Sequence, residues 1–232
     1  MTTHPERTIR VAGGWLAAAS LLFVGSLALH PPPSPDPDAF MQIIANAGTR
    51  WVIAHWAAAL ALSAFVVTSL IVLTAQSRLT ENWWTMSAWA ILPVSAFWVL
   101  TAAVAEATVI SHAALAGDRE TFQAWQRFAE GKAMGVLGLA LATALIAGNE
   151  ARSGQPTTPA WACWAAVAAA LGAFAGWTLG MVLGVAAGGV IWLVSALVMG
   201  LWTLWLGLAL ARSEPEFVHH AAKGERRAVP PS

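Results

Sequence analysis

His55, Glu106, His112 and Glu130 are the side chains whose types and placement could carry chemistry, with Lys132 close behind the last. Each stands at or near the end of a long stretch that is otherwise almost free of charge. Glu106 lies inside such a stretch, and a carboxylate in hydrocarbon is costly enough to need a partner or a wet cavity. The default reading of Glu106 is therefore functional. Three arrangements would satisfy it. A hydrogen bond to His55 would tie two helices together and do nothing more. A polar cavity around His55, Glu106, His112 and Glu130 would bind a small solute, a cation or a proton, because a carboxylate beside an imidazole exchanges protons near neutral pH. A divalent metal or a haem on His55 and His112, with Glu106 as a further ligand, would use a donor set that suits zinc, and imidazole also binds haem iron. Spacing weakens this third arrangement. Glu106 and His112 are six residues apart, so they do not share a helix face, and no H-E-x-x-H pair occurs.

The elements that must position these groups follow from composition. Of the 232 residues 58% are apolar and 10% charged, against roughly 45–50% and about 25% in a soluble domain. Lys and Arg number 12 and Asp and Glu 12, so there is no basic excess to attract nucleic acid and no net charge to keep a disordered chain in solution. Cys163 is the one cysteine, which excludes an intramolecular disulfide and a cysteine-cluster metal site.

Val11 to Leu29 runs 19 residues without a charge, Trp51 to Ala75 runs 25 with His55 as its ionisable group, and Trp83 to Ala105 runs 23 with none. Each is long enough to cross roughly 30 Å of hydrocarbon. Ala160 to Ala211 contains no Asp, Glu, Lys or Arg; as one helix it would be roughly 78 Å long, so it folds back once. Ala133 to Gly148 supplies 16 apolar residues and reaches spanning length by taking in Lys132 and Asn149. The sequence thus predicts an all-α integral membrane protein. Its six-transmembrane-helix bundle has spans at about 11–29, 51–75, 83–110, 131–149, 160–183 and 187–211, with polar tails at 1–10 and 212–232.

Short loops rich in Lys and Arg stay in the cytoplasm. With six spans, Arg7, Arg10, Arg78, Arg152, Arg212, Lys223, Arg226 and Arg227 share one side, and Arg50, Arg119, Arg127 and Lys132 share the other. This bias predicts a prokaryotic inner membrane protein with both termini cytoplasmic. Tryptophans cluster near span ends, as headgroup-depth anchors do. A competing reading of the first span is a cleaved secretory signal, since Arg7 and Arg10 precede an apolar run that ends in Ser26-Leu27-Ala28.

Both long connections fall on the outer side in this arrangement. In the first, the proline run after His30 gives way to Asp36 as a helix cap and Pro37 as the first helical residue, and Phe40, Ile43, Ile44 and Ala47 then form one apolar face. In the second, Gly117-Asp118 starts a helix whose stripe is Phe122, Trp125 and Ala129. Two short amphipathic helices on the membrane surface are expected. Inverted repeats of three spans would show interrupted helices at matching positions, and no such pair is visible.

Gly172, Gly176, Gly180, Gly184 and Gly188 recur at a spacing of four. Such a stripe admits another backbone, either from this chain's own bundle or from a second copy in a homodimer. The last of these glycines should lie in or beside the turn between spans five and six. There is no phosphate-binding G-x-x-x-x-G-K-[ST] loop and no G-x-S-x-G elbow, and His219-His220 with the basic tail reads as solvated. The function expected first is non-enzymatic: an outward-facing polar cluster of His55, Glu106, His112 and Glu130 that binds or passes a small solute or ion. A metal- or haem-dependent membrane enzyme or electron carrier is the second reading, and a structural subunit of a larger membrane complex the third.

Overall fold

The computed structural model describes residues 4–31, 34, 36–75 and 77–212, and the tail that carries His219, His220, Lys223, Arg226 and Arg227 lies outside them. The described residues are mostly helical, with no strand among them. The long helices are α1 (His4–Leu29), α3 (Thr49–Thr74), α4 (Trp83–Ala105), α7 (Gly135–Arg152), α8 (Ala160–Trp177) and α9 (Ala186–Arg212). Shorter ones are α2 (Pro37–Ala47), α5 (Ser111–Ala116) and α6 (Arg119–Ala133). Six runs are long and apolar enough to span a membrane, at Glu6–Leu29, Thr49–Thr74, Trp83–Ala116, Arg119–Arg152, Ala160–Val182 and Ala186–Arg212.

α1 packs on α3 and α9, α3 on α4, α4 on α7, α7 on α8 and α8 on α9, which closes the six long helices into a ring in chain order. Small residues make that closure possible. A Cβ on Gly13 would lie 2.5 Å from Ala211 N, and one on Gly207 2.5 Å from Ala17 N, so α1 and α9 touch backbone to backbone. The core between them is built largely of alanine with a few large plugs, Leu16, Leu62, Trp89 and Leu206 among them.

The span-five glycines meet α9 of the same chain. A Cβ on Gly172 would lie 2.6 Å from Ser195 Oγ, one on Gly176 2.4 Å from Trp192 N, and one on Gly180 2.8 Å from Gly189 N. Gly188 closes the same contact from α9, against Gly180 N. Gly184 stands in the turn with φ +69°, a backbone that glycine adopts without strain. The helix pair is a tight hairpin, and the stripe is filled from within the chain.

Two spans depart from the expected bounds. The third helix does not stop near Ala105 or at Ile110; a π-helical turn over Glu106–Ile110 carries it on to Ala116. The fourth is continuous with the loop helix, since α6 runs into α7 across Met134, which keeps a helical backbone. The sequence reading placed a boundary in each case because polar residues appear there. A helix, however, ends where its backbone loses partners, and neither place offers a stop. The actual stop is Gly117, at φ +71°.

At one end of the ring α2, α5 and α6 pack together over a second core of Phe40, Ile44, Trp51, Ile110 and Phe122. Asp36 caps α2 by accepting from Asp38 N and Ala39 N, Asp118 caps α6 by accepting from Thr121 N, and Arg119 joins the two helices through Asp38 at 2.7 Å. The other end is tied by Glu150, whose buried carboxylate accepts from Arg78 at 3.2 Å and from Thr157 N at 2.8 Å. Asn82 donates to Asn149 beside it.

Candidate functional site

A cavity of about 140 Å³ opens inside the ring at the end covered by α2 and α6. Every spanning run contributes to its wall, from Phe23 and His30 on the first to Trp192 on the last. The polar part of the wall is Ser26, His30, His55, Glu106, Gln126 and Glu130, and among the described residues the walls hold no Lys or Arg.

Aromatic rings form a continuous arc around it. Phe40 lies 5.6 Å from Trp51, Trp51 4.2 Å from His55, His55 5.0 Å from His30, His30 6.3 Å from Trp192, and Trp192 5.4 Å from Trp177, all between ring centroids. The arc covers α3, the end of α1, α9 and α8. The carboxylates complete the circle from α6 and from the π turn that follows α4.

Local backbone geometry sets each of these groups. In the π turn Trp51 donates its indole N–H to the Glu106 carbonyl at 3.2 Å, and Ser111 and Thr108 return their hydroxyls to carbonyls of the preceding turn. A π turn loosens the regular ladder, and these side chains satisfy what it releases. A second π turn, Thr178–Val182, follows Trp177 and places Met181 on the same wall. Both interruptions therefore border the cavity. They fall in spans three and five, not at the matched positions an inverted repeat would give.

His55 donates from Nδ1 to the Trp51 carbonyl at 2.9 Å, and His30 donates from Nδ1 to the Pro31 carbonyl at 2.6 Å. A carbonyl can only accept, so each neutral ring carries its lone pair on Nε2. Neither Nε2 has a partner among the described residues. Two further wall groups are buried without a hydrogen-bond partner, Glu106 Oε2 and Trp177 Nε1. Leaving such a group unpaired costs about 1–3 kcal/mol, and more when it is charged. Glu130 is exposed and accepts from Gln126 Nε2 at 3.1 Å.

Three of the four residues singled out from sequence thus share one wall: His55, Glu106 and Glu130. The simple His55–Glu106 hydrogen bond is not made. His112 is elsewhere, exposed on α5 and off the cavity, because the helix continues past Glu106 instead of bending back. Among the described residues no group of three His, Cys, Asp or Glu side chains converges as metal ligands would. Lys132 turns away from the cavity and sits over the rings of Trp98 and Phe128, at 5.8 and 5.6 Å.

Sequence reading missed His30, Gln126, Trp177 and Trp192. For His30 a signal existed, since it borders its span at the same end as His55 borders the next. The tryptophans gave none, because their rotation about α8 and α9 is fixed by the glycine contact.

A second, smaller cavity of about 50 Å³ lies deeper in the ring, shares Phe23 with the first and is lined by Trp89, Thr143 and Thr203. Trp89 Nε1 is likewise buried without a partner.

Fold and cavity together define a class: an all-helical bundle, compatible with an integral membrane protein, closed around an apolar cavity with a few polar groups in its wall. Set against family models, curated proteins and solved structures, the chain matches none.

Proposed function

We propose that the protein resides in a prokaryotic plasma membrane with both termini cytoplasmic, and that it binds a small solute from the outer side in the cavity of His30, His55, Glu106 and Glu130. The orientation rests on the Lys and Arg bias between alternate loops. The binding rests on one observation: a carboxylate oxygen, Glu106 Oε2, and an indole N–H, Trp177 Nε1, are both buried without partners in the wall of one cavity. Groups of that kind are retained at a cost to stability, and a ligand that supplies their hydrogen bonds recovers it. Pockets that take small molecules have this composition, apolar walls with a few convergent polar atoms.

The test is a thermal-shift screen of the detergent-purified chain against amines, alcohols, carboxylates, sugars and salts. At least one class should raise the melting temperature, and Glu106→Gln should remove that shift while the unliganded protein still melts cooperatively. A screen in which no compound moves the transition, or one in which Glu106→Gln leaves the shift unchanged, overturns the proposal.

A further inference from the structure

We infer that the ligand of this cavity is a small organic cation that carries N–H donors, a primary or secondary ammonium on a short hydrocarbon body. The inference rests on the proposed solute-binding role and narrows it to one chemical class.

Charge gives the first reason. Among the described residues the wall carries Glu106 and Glu130 and no Lys or Arg. An anion would face two carboxylates in an apolar setting with no counter-charge, where repulsion is least screened. A cation supplies the counter-charge that a carboxylate needs in such a place.

Hydrogen-bond polarity gives the second. Both imidazoles have spent their N–H on backbone carbonyls, so each offers an acceptor at Nε2. Glu106 Oε2 is an open acceptor, and the Gln126 amide N–H₂ is directed to Glu130. Of the described wall groups that are buried without a partner, Trp177 Nε1 is the donor. The ligand must therefore bring donors, which an ammonium with N–H bonds does and a quaternary ammonium does not. Trp177 leaves room for one acceptor, such as a hydroxyl on the ligand's tail.

The aromatic arc gives the third. Phe40, Trp51, Trp177 and Trp192 present ring surfaces around the space between the carboxylates and the imidazoles. The negative face of an aromatic ring attracts a cation, most strongly when both are desolvated. The same walls disfavour an inorganic ion, since a hard cation takes six or more oxygen ligands at close range (about 2.0–2.6 Å). Alanines at 54, 58, 102, 103 and 129 line the rest and suit a short alkyl chain. The cavity volume of about 140 Å³ suits a chain of a few carbons.

The experiment is calorimetric titration of the purified full chain with butylammonium, tetraethylammonium, 1-butanol, butyrate and sodium chloride. Butylammonium should bind, and the other four should bind at least about tenfold more weakly, the loss expected when a charge-assisted hydrogen bond is absent. Glu106→Gln should weaken butylammonium by a similar factor. If that variant does not fold, Glu130→Gln on the exposed carboxylate and His112→Gln, on an exposed side chain off the cavity, serve instead. The first should weaken butylammonium several-fold, and the second should not. Butanol, butyrate or sodium binding as tightly as butylammonium, with dependence on Glu106, overturns the inference and leaves the solute cavity standing. Tetraethylammonium binding equally well overturns the requirement for N–H donors. No binding by any compound, here and in the wider screen, overturns both readings.

Discussion

Glu106 and His30 show how much a single position depends on what surrounds it. Glu106 is held by a helix that changes its hydrogen-bonding pattern at that residue, and its carboxylate faces a cavity instead of a partner. His30 follows the first span directly, and burial holds its imidazole well below the usual value of 6.5, at about 4, against the raising effect of its bond to Pro31. The neutral ring is thus the folded form. An unfolded chain takes up the proton near pH 6.5, whereas the folded one resists it down to about pH 4. Stability from this group is complete above the first value and is lost progressively toward the second. The expected loss is on the order of 3 kcal/mol, and it should appear as a falling melting temperature over that window. His55, Glu106 and Glu130 line the same cavity. The measurement is therefore a comparison: His30→Gln should flatten the part of the profile that starts near neutrality. A profile unchanged by that substitution would remove His30 as its cause.

Among elements, the hairpin of α8 and α9 decides where Trp177 and Trp192 point. Its glycines allow backbones to meet, and added methyl groups would have nowhere to go. Gly176→Ala would press a Cβ to 2.4 Å from Trp192 N, and Gly188→Ala to 2.2 Å from Gly180 N. Each should cost about 1–3 kcal/mol, as overpacking does, and each should weaken ligand binding by moving the arc. Gly14→Ala and Gly25→Ala form the control, because a Cβ at either position meets nothing within 4 Å. These should be neutral or stabilising by about 0.5–1 kcal/mol, the ordinary gain of alanine over glycine in a helix. Melting temperatures of the four variants test the contrast. Equal effects at all four would mean that the hairpin tolerates separation. The π turns belong to this scale too. Each lets its helix shift the phase of its side chains by part of a turn, which is how Glu106 and Met181 come to one wall from helices with no polar periodicity.

For the whole molecule the ring order matters most, since consecutive spans are neighbours and the last meets the first. Two cavities follow one another inside the ring and share Phe23 as a wall. The proposed orientation puts the larger one outside. Ala116→Cys should react with a membrane-impermeant maleimide in intact cells, and Gln155→Cys should react only after lysis, both side chains being exposed. Cys163 is buried and should add little background. The reverse pattern would invert the proposed orientation. All-helical class, span number and approximate span positions were legible because they depend on composition over about 20 residues, and no local conformation competes with a helix in hydrocarbon. The caps at Asp36 and Asp118 were legible for a local reason as well, each being a side chain bonded to its own next turn.

Sequence by itself determined that this chain forms six long apolar helices and that Glu106 needs company, since both follow from the cost of placing polar groups in an apolar medium. It determined half of the cavity's polar wall: His55, Glu106 and Glu130 are ionisable residues near span ends, and depth along a helix can be counted in residues. Only the tertiary structure decided which groups meet. Rotation of a helix about its axis is set by packing against its neighbours, and one residue of rotation moves a side chain by about 100°. That is why His112 leaves the cluster, why His30 and Trp177 enter it, and why the glycine stripe is filled by α9 of its own chain. The open valences of Glu106 and Trp177 are a property of the assembled ring alone, because a hydrogen bond that is not made cannot be read from either residue that would have made it.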